Sequence, residues 1–311
     1  SIGIDGSARL LHWFNGVECM AGAYLLARPL LGRNGAILAA AIFASLPPLR
    51  FLQYTSMVEL GLSRYALLAL FSFIMANRMF PAGEGKAIPR RAWLLLCAWN
   101  LGYAQSTKFI GIFISIIIIG QLAIYAWRGK ADIRRTIGDV ALITAWGAVW
   151  TMPWLWKNWL FTGNPVFPML GRLFPTSAWD EKINLRWMKD NTRYGTGRGS
   201  LFNWIKMPVM ASVGTPHFGT FALNPFFLLF MPCLLFLKNV PSSVKFLAVA
   251  TAVYSGLWAM SSQQTRFFMP IAPAASMVTA FVITRAFAGR VFLQILVWAA
   301  TGWIFLDSVM G

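Results

Sequence analysis

The chain has 311 residues, of which 58% are hydrophobic and 12% are charged, and its mean hydropathy is +0.60. This composition excludes an ordinary soluble domain and is typical of integral membrane proteins. The formal net charge of +17 does not indicate nucleic-acid binding, because the Lys and Arg residues are scattered through short connections between apolar runs, as expected for cations that control membrane topology.

Ten apolar segments have the length and composition of membrane-spanning helices or come close to it. They cover residues 9–31, 34–52, 57–79, 91–106, 108–127, 137–157, 221–238, 243–261, 267–287 and 290–309. We therefore predict an all-α fold, a polytopic transmembrane helical bundle of about ten spans. The fourth and fifth segments are alternatively one bent helix, although the polar residues Gln105 to Lys108 between them favour a turn.

We predict a single membrane domain over residues 1–311. An N-terminal helical part of about six spans (1–157) precedes a long extracytoplasmic loop (158–220) and a C-terminal helical part of about four spans (221–311). Because the chain begins at Ser1 without Met, close to a predicted span, we expect upstream sequence to be missing.

The positive-inside rule orients the predicted spans. Alternate short connections hold most of the cations and are assigned to the cytoplasm: Arg28, Arg33, Arg78, Lys86, Arg90, Arg91, Arg128, Lys130, Arg134, Arg135, Lys238, Lys245, Arg285 and Arg290. The intervening short connections hold only Arg50, Lys108 and Arg266. These three residues and the long loop therefore fall on the outer side of what we expect to be a bacterial inner membrane.

The long loop is expected to be functional, since connections of this length are rarely mere spacers. Its segment 177–190 places Trp179, Ile183 and Trp187 four residues apart, which predicts a short helix lying on the membrane. The sequence GTGRGS at 195–200 is interpreted as a flexible turn and not as a phosphate loop, because no strand-helix alternation surrounds it.

The start of the loop is expected to turn sharply over an outer cavity. Asn164-Pro165 and Pro168 cannot continue the preceding helix, so the chain must turn at the interface. We place Asn158, Asn164 and His217 in this cavity or in the loop that covers it.

Two prolines precede the third span, Pro47 and Pro48, and they weaken the end of the helix before it. Arg50 and Tyr54 are therefore expected in an irregular outer corner that lines the cavity.

Glu59 at the start of the third span has two interpretations. A carboxylate at a helix N-terminus is favoured by the helix dipole, which makes it a structural cap. Ionisable groups in membrane spans also tend to face a water-filled cavity, which makes it a site residue. Arg64 is about 140° around the helix from Glu59, so the two residues need other partners.

Four polar residues at the outer ends of the spans favour a site for a lipid phosphate. Each of Lys108, Lys157 and Arg266 is alternatively an interfacial anchor whose cation reaches the headgroups. As a set, however, they suit one anion, because Arg offers a planar fork and Lys a point charge to phosphate oxygens. Gln264 stands beside Arg266 and belongs to the same predicted site.

The chain shows no metal-ligand spacing and no nucleophile motif. His12, Asn15 and Cys19 share a face of the first span, where interhelical hydrogen bonding explains them better than a metal site. His217 lacks a Cys or acidic neighbour, and the three Cys residues lie singly in apolar runs without a disulfide framework.

The order of these segments resembles the C-type membrane glycosyltransferases, the superfamily of the protein O-mannosyltransferases and aminoarabinose transferases. The segment DGSARLLHWFNGVECMAGAYLLARPLLGRNGAILAAAIFASLPP resembles their early helical hairpin. MVELGLSRYALLALFSFIMA resembles the next span, which commonly opens with an acidic residue, here Glu59. Three later segments are similar to later elements of the family, in the same order: AWNLGYAQSTKFIGIFI, PWLWKNWLFTGNPVFPM and SSQQTRFFMPIAPAASM.

The resemblance implies an active site at the outer membrane surface and direct displacement at the anomeric carbon of a lipid-linked sugar. Basic residues would hold the phosphate leaving group, and a carboxylate would activate the acceptor hydroxyl. The family's principal acid lies in the first outer loop, before the hairpin with which this chain begins. The chain is therefore expected to lack its main catalytic base. Glu59, which matches only the second acidic position, is the candidate catalytic residue within this chain.

We predict a glycosyltransferase that moves a sugar from a polyprenyl-phosphate-linked donor to a glycan, lipid or protein acceptor, with membrane lipids and no nucleic acid as partners. A secondary transporter of a small anionic or sugar-like solute is the alternative, although transporters place ionisable groups near the midplane and often show repeated halves. No cofactor is predicted, and the resemblance leaves a divalent metal open because some relatives use one.

Overall fold

The computed structural model describes residues 4–80, 88–171, 173–176, 180–197, 199–214, 217–219 and 221–310. These residues form twelve α-helices and no β-sheet. The helices are α1 (Ile4–Ala44), α2 (Pro47–Gln53), α3 (Glu59–Ala76), α4 (Arg90–Thr107), α5 (Ile112–Trp127), α6 (Ile133–Thr162), α7 (Glu181–Thr192), α8 (Leu201–Ser212), α9 (Pro225–Phe230), α10 (Ser242–Met260), α11 (Ala272–Ala286) and α12 (Val291–Met310). Three 3₁₀ helices lie at Phe109–Gly111, Met231–Phe236 and Thr265–Phe268. The predicted all-α fold is confirmed.

Four described helical segments are long and apolar enough to cross a membrane, namely Gly6–Ala44, Glu59–Ala76, Phe109–Trp127 and Ser242–Met260. Three shorter apolar segments accompany them, at Pro225–Phe236, Ala272–Ala286 and Val291–Asp307. A helix satisfies its backbone hydrogen bonds internally, which lipid requires of any spanning segment. The protein is an integral membrane protein, as its composition predicts.

The range given for α1 contains two helical segments separated by a kink at Gly32, where the sequence predicts the break between its first two spans. The backbone of α1 leaves helical geometry at Gly32, with φ 66° and ψ −169°, and then resumes. Positive φ is accessible to glycine at little cost, so the bend is built there. The irregular corner expected after Pro47 is wrong for Arg50, since the proline pair begins the short helix α2, which contains Arg50. Proline is well tolerated in the first turn of a helix. Tyr54 lies just after α2, in non-helical chain.

The fourth and fifth predicted spans are two separate helices. α4 ends at Thr107, Lys108 is extended, and the chain resumes as the 3₁₀ helix Phe109–Gly111 followed by α5. The polar turn is therefore the better of the two interpretations made from the sequence.

Other predicted boundaries shift. α6 is 30 residues long, starting at an Asp132 cap that accepts a hydrogen bond from Arg135 N and ending at a left-handed Gly163. The predicted span 221–238 contains only α9 and the 3₁₀ helix Met231–Phe236, within which Pro232 lacks a backbone donor.

Two helices lie between α6 and α9. α7 covers most of the helix predicted at 177–190 and has no buried residue, although Trp179, like Lys86, lies outside the described residues. α8 was not predicted, and its signal is the Ser200 cap, whose side chain accepts a hydrogen bond from Phe202 N.

The bundle packs closely through small side chains. α11 is buried from Ala272 to Ile283 and packs against α1, while α4 packs against both α3 and α6. At the α4–α6 contact, a Cβ added to Gly102 would overlap the Gly147 carbonyl oxygen. At one end, Arg90 joins the same two helices by a bidentate ion pair with Asp139, with N–O distances of 2.8 and 2.7 Å. Small residues let membrane helices approach in this way.

We expect Gly102→Ala to lower the melting temperature of the purified protein, because α4 and α6 would have to separate. Overpacking of this kind costs about 1–3 kcal/mol. The control is Gly120→Ala on α5, where an added Cβ meets nothing within 4 Å. Thermal unfolding in detergent measures both variants, and an equal effect in the two would contradict the close α4–α6 contact.

Candidate functional site

The turn between α4 and α5 brings Lys108 to the end of the bundle at which α3 begins, called the site end below. The turn is tight: Gly111 N donates to Lys108 O over 2.8 Å. A Cβ on Gly111 would overlap the Ala104 carbonyl group. Glycine at position 111 therefore lets the chain reverse closely enough to aim the Lys108 side chain inward.

Glu59 is the partner of Lys108. It is the first residue of α3, and only 3% of its side chain is exposed. Its Oε1 lies 2.9 Å from Lys108 Nζ, and its Oε2 accepts a hydrogen bond from Val58 N. A buried carboxylate stays charged only when a cation or hydrogen-bond donors compensate for the lost water, and both do so here.

Arg266 is the second cation beside this carboxylate. It lies in the 3₁₀ helix Thr265–Phe268, with Nε 3.7 Å from Glu59 Oε1. The same Nε donates to Gln264 Oε1 over 2.9 Å, and Nη1 contacts Met57 Sδ. We call Glu59, Lys108, Arg266 and Gln264 the Glu59 cluster. The structure thus brings together four residues selected from separate parts of the sequence.

The aromatic ring of Phe267 lies against the charged groups of both Lys108 and Arg266. Lys108 Nζ lies 3.7 Å from the centre of its ring, and Arg266 Cζ lies 5.0 Å from it. Cations are attracted to aromatic faces. The side chains of Lys108 and Arg266 are 28% and 32% exposed, in contrast to the carboxylate. Burial lowers the pKa of Lys108 from its usual range, and Glu59 opposes that change. The accessible side of the cluster is therefore cationic.

Hydrogen bonds from α1 position the start of α3. His12 Nδ1 contacts Leu52 O, while its Nε2 accepts a hydrogen bond from Leu60 N over 3.0 Å. On the same face, Arg64 binds Glu18 and donates to Asn15 Oδ1. The interhelical role predicted for His12 and Asn15 is confirmed, and Arg64 and Glu59 do have separate partners.

The long connection between α6 and α9 is hydrogen-bonded to residues 263–265, which directly precede Arg266. Thr196 N donates to Gln263 Oε1 over 3.0 Å, and Thr265 N donates to Phe218 O over 3.0 Å. Gly195 N donates to His217 O, and a Cβ on Gly195 would overlap the Gln263 amide. We call these contacts the loop clasp. Hydrogen bonds therefore join the turn at 195–197 to Gln263 and His217.

A small cavity of about 150 Å³ lies between the loop clasp and the Glu59 cluster. We call it the aromatic pocket; its walls include Phe51, Tyr194, Phe218, Phe221, Gln264 and Arg266. Gln264 and Arg266 therefore belong both to the Glu59 cluster and to the wall of the aromatic pocket.

Other residues selected from the sequence lie apart from the cluster. Lys157 is exposed and its ammonium lies over the Trp154 ring. Ser106, near the end of α4, donates a hydrogen bond to Trp150 O on α6, so these two residues lie side by side. Lys157 follows Trp150 by seven residues, which places it about 10 Å further along α6. A sequence cannot show that α6 extends so far past α4.

Asn158 and Asn164 shape the turn after α6. Asn158 Nδ2 donates to Pro165 O, and the buried Asn164 side chain donates to Met169 O and accepts from Val166 N. These bonds form the turn predicted from the Asn-Pro sequence.

Three further residues selected from the sequence lie outside the cluster. His217 is exposed and contributes its backbone carbonyl to the loop clasp. Tyr54 is exposed, and Arg50 lies over Phe305, with its Nη1 buried and without a hydrogen-bond partner among the described residues.

Sequence reasoning did not select Phe267, Gln263 or Tyr194 as site residues. Their positions depend on how the long connection folds back over the 3₁₀ helix, which no local pattern specifies. The one available signal was the adjacency of Gln263 and Phe267 to the predicted Gln264 and Arg266.

The Glu59 cluster offers a divalent metal a single carboxylate, that of Glu59. Within the part of the chain that the structure describes, no three His, Cys, Asp or Glu residues are grouped to hold one. Glu59 is already bound by two cations. No step is therefore assigned to a metal here.

The fold is similar to that of solved membrane enzymes. ArnT from Cupriavidus metallidurans bound to undecaprenyl phosphate superposes with a TM-score of 0.58 at 17% identity, over 89% of this chain and 46% of that one. The Archaeoglobus fulgidus oligosaccharyltransferase AglB, in complex with an inhibitory peptide and a dolichol-phosphate, gives 0.53 at 15% identity, over 94% and 41% of the two chains.

The chain has the fold of the C-type glycosyltransferases. The fold implied by the resemblance of the sequence motifs is therefore confirmed. The chain spans less than half the length of ArnT and AglB. No family model matches the sequence, and no curated protein does. On this C-type fold, the Glu59 cluster and the loop clasp lie at one end of the helices.

We expect Gly195→Ala to loosen the loop clasp, since the added Cβ cannot share space with the Gln263 amide and position 195 has φ 99°. Limited trypsin digestion should then cut faster at the cations of α7. Gly199→Ala is the matched control, because an added Cβ there meets nothing within 4 Å. Unchanged cleavage of Gly195→Ala would show that the clasp does not order the loop.

Proposed function

We propose that this chain is the membrane part of a glycosyltransferase that takes a sugar from a polyprenyl-phosphate donor and transfers it to an acceptor hydroxyl at the extracytoplasmic face. The observation that carries the proposal is the pair of partly exposed cations, Lys108 and Arg266, held together by a buried carboxylate beside an aromatic pocket. Arg and Lys are the usual protein ligands of phosphate oxygens.

A large apolar cavity supports a lipid substrate. It has a volume of about 890 Å³ and lies along α8, α9 and α10. Its site end is lined by Trp258 and Phe268, and Trp258 Nε1 donates to the backbone of Gln264 over 2.8 Å. A polyprenyl chain in this cavity would bring its phosphate to the Glu59 cluster.

The solved relatives support the same class of donor. The ArnT structure contains undecaprenyl phosphate and the AglB structure contains a dolichol-phosphate. The transporter alternative has no such support, and the Glu59 cluster lies at helix ends and not at the middle of the bundle.

In this proposal the cations stabilise the phosphate as the bond to the anomeric carbon breaks. Charge grows on the leaving phosphate during displacement, and preorganised cations lower the barrier by binding that charge. The acceptor hydroxyl attacks the anomeric carbon and loses its proton to a base. Glu59 is poorly placed to be this base, because its carboxylate is buried and bound to two cations.

We therefore assign Glu59 a positioning role as the counter-ion that holds Lys108 and Arg266 in place. This differs from the catalytic role expected from the sequence. A group that acts on the acceptor must reach it, whereas the exposed surface of the cluster belongs to the two cations.

Replacing Arg266 by Lys should weaken binding of undecaprenyl phosphate by about tenfold to a hundredfold, because one charge-assisted hydrogen bond contributes about 1.5–3 kcal/mol. Binding to the complete enzyme in nanodiscs measures this. Arg285→Lys, at the far end of α11, is the matched control. Equal affinity in the Arg266→Lys variant and the wild type would reject the phosphate site.

Glu59→Gln should keep sugar transfer within about tenfold, tighten binding of undecaprenyl phosphate about tenfold, and lower the melting temperature. The amide keeps an acceptor for Lys108 while removing a negative charge beside the phosphate, and a broken buried ion pair destabilises the fold. Measurements of transfer, lipid binding and melting temperature in the complete enzyme test the three effects.

The control is Glu18→Gln, which removes the exposed partner of Arg64 and should change none of the three. A loss of transfer of about 10²–10⁴-fold in Glu59→Gln, with unchanged lipid binding, is the signature of a general base. That result would refute the positioning role.

A further inference from the structure

We propose that the protein carries a binding site for an anionic phospholipid at the end of the bundle opposite the Glu59 cluster, in a cavity between α4 and α6. The cavity has a volume of about 630 Å³, and its walls include Arg90, Arg91, Gly138, Asp139 and Ala145. We call it the Arg90 cavity. This inference does not rest on the proposed function, because its ligand is a lipid of the surrounding membrane and not a sugar donor.

The cavity lies far from the Glu59 cluster. Arg90 is the first residue of α4 and Lys108 follows the last, so the 18 residues of this helix separate the two sites. At 1.5 Å per residue the separation is about 27 Å. The Arg90 cavity is therefore at the end of the bundle that the sequence assigns to the cytoplasm, where the headgroups of the inner leaflet meet the protein.

The guanidinium of Arg90 is held in place at the cavity by a buried carboxylate. Its Nη1 and Nη2 donate to the two carboxylate oxygens of Asp139 over 2.8 and 2.7 Å. The Asp139 side chain is 12% exposed and that of Arg90 is 26% exposed. The acid is thus neutralised, and the more accessible partner of the pair is the cation, so the pair does not repel an anion from the cavity.

Three further arginines make the surroundings of the cavity cationic. Arg91 lines the cavity and is exposed. Arg134 and Arg135 are exposed four and three residues before Gly138, which places them on the face of α6 that forms the cavity wall. Within the described ranges none of the three forms an ion pair. They are therefore available to the phosphate of an anionic headgroup.

The rest of the wall suits the apolar part of a lipid. Gly138, Ala141 and Ala145 recur every three or four residues along α6, and Leu94 and Leu142 complete the lining. An added Cβ at Gly138 would meet nothing within 4 Å, so the small side chains leave room beside the helix. A phosphate at the arginines would have its glycerol and first acyl carbons against this apolar surface. The volume lies within the ~300–1,000 Å³ that is usual for ligand sites.

Control of membrane topology explains part of this pattern but not all of it. The positive-inside rule accounts for arginines in a cytoplasmic connection. It does not account for an apolar cavity beside them, or for a guanidinium fixed by a buried acid at its wall. Basic pockets between membrane helices on the cytoplasmic side bind the headgroups of anionic lipids, and the Arg90 cavity has both features of such a pocket.

A lipid in this cavity would contact both α4 and α6, since each helix contributes part of the wall. A ligand that binds only the folded state stabilises it. The stability of the protein should therefore depend on the anionic lipid content of its surroundings.

The experiment titrates the purified protein in a neutral detergent with phosphatidylglycerol, phosphatidylcholine or inorganic phosphate. Thermal unfolding and lipid retention in native mass spectrometry are the measurements. We expect phosphatidylglycerol to raise the melting temperature and to be retained, and the other two probes to do neither. Equal stabilisation by the two lipids would overturn recognition of the anionic headgroup. Equal stabilisation by inorganic phosphate and phosphatidylglycerol would overturn a lipid site.

Replacing Arg91 and Arg134 together by Gln should weaken binding of phosphatidylglycerol about tenfold to thirtyfold, because each cation near an anionic headgroup contributes roughly fivefold. Arg90 is left unchanged, since its loss would leave a buried carboxylate unpaired. The matched control replaces Lys238 and Arg290 by Gln, which removes two exposed cations that do not line the cavity. Wild-type affinity in the Arg91 and Arg134 double variant would overturn the proposal.

Gly138→Leu tests the cavity without changing any charge. The leucine side chain would occupy the space of the lipid, so we expect about tenfold weaker binding of phosphatidylglycerol. Gly120→Leu is its control, because an added Cβ there also meets nothing within 4 Å and Gly120 lies outside the cavity wall. Arg266→Lys, in the Glu59 cluster, should bind phosphatidylglycerol like wild type. Weakened binding in Arg266→Lys but not in Gly138→Leu would place the lipid at the other end of the bundle and refute this site.

Discussion

A carboxylate buried at the end of a membrane bundle constrains everything around it. Glu59 loses its water on folding, and that cost is tolerable only if cations reach it. They come from distant parts of the chain: Lys108 lies 2.9 Å and Arg266 3.7 Å from Oε1. One charge thereby links the start of α3, the turn between α4 and α5, and the 3₁₀ helix before α11.

Irregular backbone occurs where this arrangement requires it. Lys108 is extended between two helices, Gly111 permits the tight turn, and Arg266 lies in a 3₁₀ helix. Non-helical chain in a membrane protein must be satisfied by protein or water. Here Thr265 is paired with Phe218, so the long connection supplies partners to the same segment that presents the cation.

The sequence could predict the helices and the residues of the Glu59 cluster, but not the residues that the long connection brings to it. Hydropathy marks the spans, and a few charges in an apolar chain are conspicuous, so Glu59, Lys108 and Arg266 stood out. Lys157 was expected beside them, but α6 extends past α4 by an amount that periodicity does not encode. Tyr194 and Gln263 are brought in by tertiary folding of a polar connection, which no hydrophobic pattern reports.

The charge balance of the Glu59 cluster suits the proposed chemistry. Two cations and one carboxylate leave a net charge of +1, which matches the single negative charge of a phosphodiester donor. After transfer, the leaving phosphate carries about −1.5 to −2, more than the cluster neutralises. Under the proposed function, a third cation would hold this product more tightly. The buried carboxylate therefore limits the affinity for the spent lipid while keeping both cations aimed at one position.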